Sequence, residues 1–173
     1  WARFKRQRPD DEVVADYYAR AVALFDAMCV NFPPLRKVRD STPEDEASSR
    51  YRNTRGGHLL FRPVGFQITV RTIRLLMDSG QTLAKAAAAA GKVPMQLAKP
   101  PWVGLLWNDT SQTMLTANEN QRAAQRVMLH GAGGDLAQLS STEPNLRTEL
   151  AGILNVEAAE IVISRYSQIV SSS

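Results

Sequence analysis

The chain has 173 residues, 44% of them apolar, which suits one domain of ordinary size or a domain with an appendage. One Cys excludes an internal disulfide framework or a cysteine zinc cluster, and two widely separated His argue against a histidine metal site, so no metal and no cofactor is expected. The balance of 21 Lys+Arg against 17 Asp+Glu gives a net charge of +4, too modest to identify a nucleic-acid binder by itself. No apolar run approaches the roughly 20 residues needed to span a bilayer and no signal peptide opens the chain, so a cytoplasmic protein without a membrane partner is expected. The start at Trp1, without an initiator Met, suggests a fragment or a trimmed chain.

Residues 1–8 place Arg3, Lys5, Arg6 and Arg8 among Trp1 and Phe4. From Asp10 to Asn31 the apolar positions Val14, Tyr17, Tyr18, Ala21, Phe25, Met28, Cys29 and Phe32 recur every three or four residues, as on one face of a helix. Asp10, Asp11 and Glu12 favour its N-terminus, and Pro33 and Pro34 are expected to end it. Residues 36–57 are rich in Ser, Asp, Glu and Arg and read as a long polar loop. Residues 1–57 are therefore taken as an N-terminal helix and loop, and residues 58–173 as a helical domain.

Pro63 is well placed in the first turn of a helix that runs to Asp78, with Val64, Ile68, Ile73, Leu76 and Met77 on its apolar stripe. Ser79 and Gly80 close it. Residues 82–90, with five consecutive alanines, form a short helix stopped by Gly91. Pro94, Pro100 and Pro101 then break helix. Residues 102–107 and 113–115 read as two strands of a hairpin joined by a five-residue connection. Trp102 and Trp107 are expected to anchor a core, with a base-stacking platform as the sharper alternative.

Thr116 and Glu119 have the spacing of a capping box. The helix they open should turn Ala123, Ala124, Val127 and Met128 inward and Gln121, Arg122, Gln125 and Arg126 outward. The glycines at 131, 133 and 134 follow a helix and lack the Lys-Ser/Thr of a phosphate loop, so they read as a helix end. A last helix at about 144–154 begins at Ser141 or Thr142, and the tail holds a short helix or strand near 160–163. The fold class is mainly α: a helical domain with a small β-hairpin.

Catalytic constellations are largely missing. Neither His58 nor His130 has a nearby Ser or Cys in a nucleophile motif. His130, at a helix end, reads as a cap favoured by the helix dipole, and Cys29 as an inert core thiol. The acidic runs at 10–12 and 44–46 read as a helix start and a solvated loop rather than a metal site. No catalytic residue is assigned, and an enzyme contained wholly in this chain is not expected. The charge, by contrast, is uneven: residues 1–74 hold 14 Lys+Arg against 9 Asp+Glu, and residues 75–173 hold 7 against 8. Residues 50–62 carry Arg50, Arg52, Arg55 and Arg62 with no acid among them. Guanidinium forks match phosphate bidentately, and neighbouring aromatics could stack on bases, so these four arginines are the candidate nucleic-acid contacts. A solvated basic loop is the plain alternative.

Three strings carry a resemblance: His-Leu-Leu-Phe-Arg-Pro-Val-Gly-Phe at 58–66, Pro-Pro-Trp-Val-Gly-Leu-Leu-Trp-Asn at 100–108, and Met-Leu-Thr-Ala-Asn-Glu-Asn-Gln-Arg-Ala-Ala at 114–124. Residues 58–155, and more weakly 1–57, resemble the C-terminal half of DGQHR-domain proteins, which include the DndB-like proteins of DNA phosphorothioate systems and relatives in deazaguanine DNA-modification systems. The Asp-Gly-Gln-His-Arg string that defines the group is absent. The resemblance thus implies a C-terminal fragment without that centre, and no nucleotide hydrolysis is carried over to residues here. It implies a phage-defence or DNA-modification setting, through DNA binding, transcription regulation or contact with other subunits of the system. Three readings stand: an accessory DNA-contacting or regulatory domain, a protein-interaction module, and the non-catalytic lobe of an ATP-using enzyme whose chemistry lies upstream.

Overall fold

Asp11 and Glu12 occupy the first turn of α1 (Asp11–Asn31), where carboxylates complement the partial positive charge of a helix N-terminus. The computed structural model describes residues 10–166, so the basic cluster at 1–8 and the end of the tail lie outside the described residues. After α1 come α2 (Pro33–Arg39), α3 (Ala47–Tyr51), α4 (Pro63–Asp78), α5 (Leu83–Gly91), the strands β1 (Trp107–Asn108) and β2 (Thr113–Met114), α6 (Asn118–Gly131) and α7 (Glu143–Leu154). The fold is mainly α with one small antiparallel hairpin, in which Trp107 faces Met114 and Asn108 faces Thr113.

Helix α4 is central: it packs on both α5 and α6, while α1 leans on α5 and α7 on α6. Its inner face buries Ile68, Thr69, Thr72, Ile73 and Leu76, and small residues Ala86, Ala87 and Ala90 of α5 meet it without exposed surface. Trp102 and Trp107 are the largest fully buried side chains, which settles them as core anchors and leaves neither face open to a base. The Trp102 indole Nε1 donates to Pro94 O at 2.5 Å. Met28 and Phe32 from the end of α1 belong to this same core.

Several sequence expectations need correction. The stretch 36–57 is not one long loop. Pro33 and Pro34 end α1 but also open α2, because a proline in the first helical turn lacks only an N–H that would be unbonded anyway. A 3-10 turn at Pro43–Asp45, where Asp45 Oδ2 accepts from Thr42 N at 2.8 Å, then leads to α3. In the hairpin, β1 holds only Trp107 and Asn108. Trp102 O accepts from the backbone N–H groups of Leu105, Leu106 and Trp107 at 2.8–3.1 Å, and Gly104 takes φ +79°, so the chain folds back before a strand can run.

Helix α6 starts one residue later than the capping-box reading has it. Ala117 is the N-cap, no side chain caps it, and Gln121 Nε2 instead donates to Thr116 O at 2.7 Å. Gln125 points inward, only 7% exposed, against Ile68 and Thr72 of α4. Along α1 only Met28 and Cys29 are buried; Val14, Tyr17, Tyr18 and Phe25 of the expected apolar face are exposed. The tail forms a 3-10 turn at Ala158–Glu160, after which Ile161 is buried and its carbonyl accepts from Arg147.

One polar bond ties the hairpin to the helices. Buried Asn120 donates through Nδ2 to Leu105 O at 2.7 Å. Asn120→Ala leaves that carbonyl without its partner, and the expected loss is about 1–3 kcal/mol of unfolding free energy in a urea titration with unchanged m. A loss below about 0.5 kcal/mol contradicts this role.

Candidate nucleic-acid interface

The stretch from the last turn of α3, which holds Arg50, to the N-cap of α4 carries the arginines singled out in the sequence, and its backbone is pinned at several points. Asn53 Nδ2 donates to Arg50 O at 3.2 Å, and Asn53 Oδ1 accepts from Arg55 N at 3.0 Å, forming a side-chain-closed turn. His58 N donates to Tyr51 O, Leu97 N to Gly57 O and Leu59 N to Met95 O, all within 2.7–3.0 Å. Gly56 sits at φ +91°, where an added Cβ would lie 3.1 Å from Leu97 Cβ and 3.2 Å from Trp107 Cε2, so both conformation and space require glycine.

Arg62 completes the anchoring. Its Nη2 donates to Asn53 O at 2.9 Å and Gly56 O at 3.0 Å, and its guanidinium carbon lies 5.7 Å from the centroid of the Trp107 ring. The side chain is half-buried, and burial, with repulsion from Arg52 second, weakens its hold on the proton. Arg62 therefore acts on the chain itself: it positions the loop that displays Arg52 and Arg55, next to Arg50 in the last turn of α3. Arg50, Arg52 and Arg55 are exposed and, among the described residues, form no ion pair.

The neighbouring aromatics are also used internally. Tyr51 stacks on Phe61 with ring centroids 5.0 Å apart, and His58 sits edge-on to both. They fasten α3 to the 3-10 turn at Leu59–Phe61 rather than offering a free stacking surface.

Two further cations join this surface. Arg36, Lys37 and Arg50 line a cleft of about 370 Å³ between α2 and α3, together with Asp40, Asp45 and Tyr51. Its two carboxylates are occupied. Arg39 Nε donates to Asp40 Oδ1 at 2.8 Å, and that bond holds the Asp40 carboxyl below the usual carboxylate range. Asp45 accepts from Thr42. Arg36 and Lys37 lay inside the stretch read as loop, and only the helical turn of α2 places them beside Arg50.

Both histidines are buried. His58 is 6% exposed, its Nδ1 accepts from Leu60 N at 3.3 Å, and burial pushes its pKa down to about 4. His130 is not the cationic helix cap read from the sequence. It is 1% exposed, and burial first, then Arg165, favour its neutral form despite Glu143 Oε2 lying 3.9 Å from Nε2. Among the described residues no group of three His, Cys, Asp or Glu side chains converges as a metal site, and no helix is long and apolar enough to cross a membrane. No protein-family model, curated protein or solved structure matches the chain.

Both histidines bind a proton more weakly in the folded chain than in the unfolded one. Their stabilisation is therefore complete above about pH 6.5 and is lost as pH falls below it, for His58 over the range down to about 4. His58→Gln keeps a hydrogen-bond acceptor and removes one of the two titrations. It is expected to flatten the fall in urea midpoint across that window, and an unchanged slope contradicts the assignment.

Proposed function

We propose that this chain is an accessory, DNA-contacting domain that performs no chemistry of its own, in the setting of a DNA-modification or defence protein. The observation that carries the reading is the exposed set Arg50, Arg52 and Arg55, without ion pairs among the described residues and on a backbone fixed by Arg62, with Arg36 and Lys37 beside Arg50 in a cleft that also holds Asp40 and Asp45. Guanidiniums held on an ordered loop lose less freedom on meeting a phosphate than the same groups on a mobile one. The likeness of the strings at 58–66, 100–108 and 114–124 to DGQHR-domain and DndB-like proteins supports the setting, with regulation of transcription or of the modification machinery as the outcome.

One observation favours a second reading, docking on another subunit of the same system. The exposed side of α1 displays Val14, Tyr18, Val22 and Phe25, and contiguous apolar surface of this kind marks protein contact. That association would be insensitive to salt.

Titration of a labelled duplex of about 30 base pairs at low and moderate salt separates the two, because phosphate contacts release counterions. Under the DNA reading the affinity falls steeply with salt. Replacing Arg50, Arg52 and Arg55 together by Ala lowers it at least about tenfold and reduces the log–log salt slope by about 0.9 per lost contact. Absence of duplex binding at low salt, or a triple variant that binds as the parent does, overturns the DNA reading.

A further inference from the structure

Every residue of α1 from Asp11 to Ala23 is exposed, and partial burial begins only at Leu24. A helix of about this length is marginal in water by itself and ordinarily owes its stability to a packed apolar face. Such a face is present. Val14, Tyr18, Ala21, Phe25, Met28 and Phe32 recur at alternating spacings of four and three residues, the seam of a coiled coil. Met28 and Phe32 end that seam in the core of this chain, 0% and 2% exposed, whereas Val14, Tyr18 and Phe25 are 47%, 72% and 46% exposed. The seam thus runs out of the core with its N-terminal positions uncovered.

The order of side-chain sizes along the seam points to the occupant. In an antiparallel pair of such helices the two kinds of seam position face each other. A pair centred between Ala19 and Arg20 therefore sets Tyr18 against the partner's Ala21, and Phe25 against the partner's Val14. The two-fold axis repeats these layers in reverse, so each holds one large and one smaller side chain. A parallel pair would set Tyr18 on Tyr18 and Ala21 on Ala21, leaving crowded and empty layers in turn. Charge agrees with the antiparallel pairing. Glu12, Asp16, Arg20 and Asp26 fall on the far side of the helix from the seam, where Asp16 and Arg20 pair with each other, so the contact buries none of them. Val14, Ala15, Tyr18, Ala21, Val22 and Phe25 expose about 500 Å² per copy, so a symmetric pair removes about 1,000 Å² from water, the lower limit of a specific interface.

We propose that α1 is a dimer contact: two copies of this chain pair antiparallel through the N-terminal halves of their first helices, with Tyr18 of each seated over Ala21 of the other. This names the partner for the face already read as a protein contact, and rests on that reading. An interface at the lower limit of size gives an association constant in the micromolar range, so the dimer forms and parts with concentration.

The test is sedimentation equilibrium of the full chain from about 5 to 500 µM, at low and moderate salt. The average mass should climb from 19.1 kDa toward twice that value with concentration, and salt should leave the climb unchanged because the contact is apolar. Tyr18→Ala empties each Tyr–Ala layer and Ala21→Tyr overfills it, and each should weaken association at least about tenfold. Both positions are exposed, so neither change disturbs the fold of the single chain. The chain carrying both substitutions again has one large and one small side chain in each layer, and should associate within about threefold of the parent. A mass that stays at 19.1 kDa throughout overturns the proposal but not the contact reading, which a different subunit would still satisfy. A dimer that both single variants keep overturns the proposal, since the copies then meet through another surface. A double variant that associates no more tightly than the single ones overturns it as well, because Tyr18 and Ala21 then do not face each other.

Discussion

The contact on which the exposed surface depends is the hold of Arg62 on Asn53 O and Gly56 O, with its guanidinium over Trp107. It joins three levels of the molecule. Trp107 is core, fully buried beside Trp102, and sits at the start of the hairpin. Arg62 is the N-cap position of α4, the helix on which α5 and α6 both pack. The two carbonyls it binds belong to the loop that displays Arg52 and Arg55 and follows Arg50 at the end of α3. A cation bound at its edge by two carbonyls and at its face by an indole is fixed in direction. The loop between is then fixed with it, which a Lys at this position could not reproduce.

The division of arginines follows from this. Those with an acid one helical turn away are neutralised locally: Arg20 with Asp16, Arg74 with Asp78 and Arg147 with Glu143. Such exposed pairs contribute little to stability, but they remove charge from the surface. Among the described arginines without such a pair, Arg36, Arg50, Arg52 and Arg55 lie along α2, α3 and the stretch after it, Arg71 and Arg122 line the cleft between α4 and α6, and Arg165 lies near His130. A net charge of +4 spread evenly would form no site; local pairing elsewhere concentrates it.

The sequence made α4, α5 and α7 legible because each carries its own punctuation. Pro63 opens α4 and Ser79-Gly80 closes it, while Thr82 and Thr142 accept from Lys85 N and Asn145 N as side-chain caps. Helices α2 and α3 are seven and five residues long, each with two spaced apolar residues (Leu35 and Val38, Ala47 and Tyr51), too short a run to announce a period. The run from Trp102 to Trp107 reads as a strand in the sequence, because a buried apolar stretch has the same signature whether it extends or turns. The difference lies in the three N–H groups that converge on Trp102 O. For the site, the clustering of Arg50, Arg52, Arg55 and Arg62 was visible, but the separate task of Arg62 was not, since its partners are backbone carbonyls up to nine residues away. Gln125 reads as outward for a like reason. Its spacing from Gln121 places it on a polar stripe, and only the packing of α6 against α4 buries it.

The measurement that bears most directly on this account is hydrogen exchange of the His58 and Leu97 amides, which bond to Tyr51 O and Gly57 O, in Arg62→Gln against the parent chain. The result the account expects is exchange at least about tenfold faster at those two amides, about 1.4 kcal/mol of lost protection. Amides in the middle of α4 and α6 should exchange as in the parent. Unchanged rates at His58 and Leu97 would contradict it, because the arginine surface would then be held by something other than Arg62.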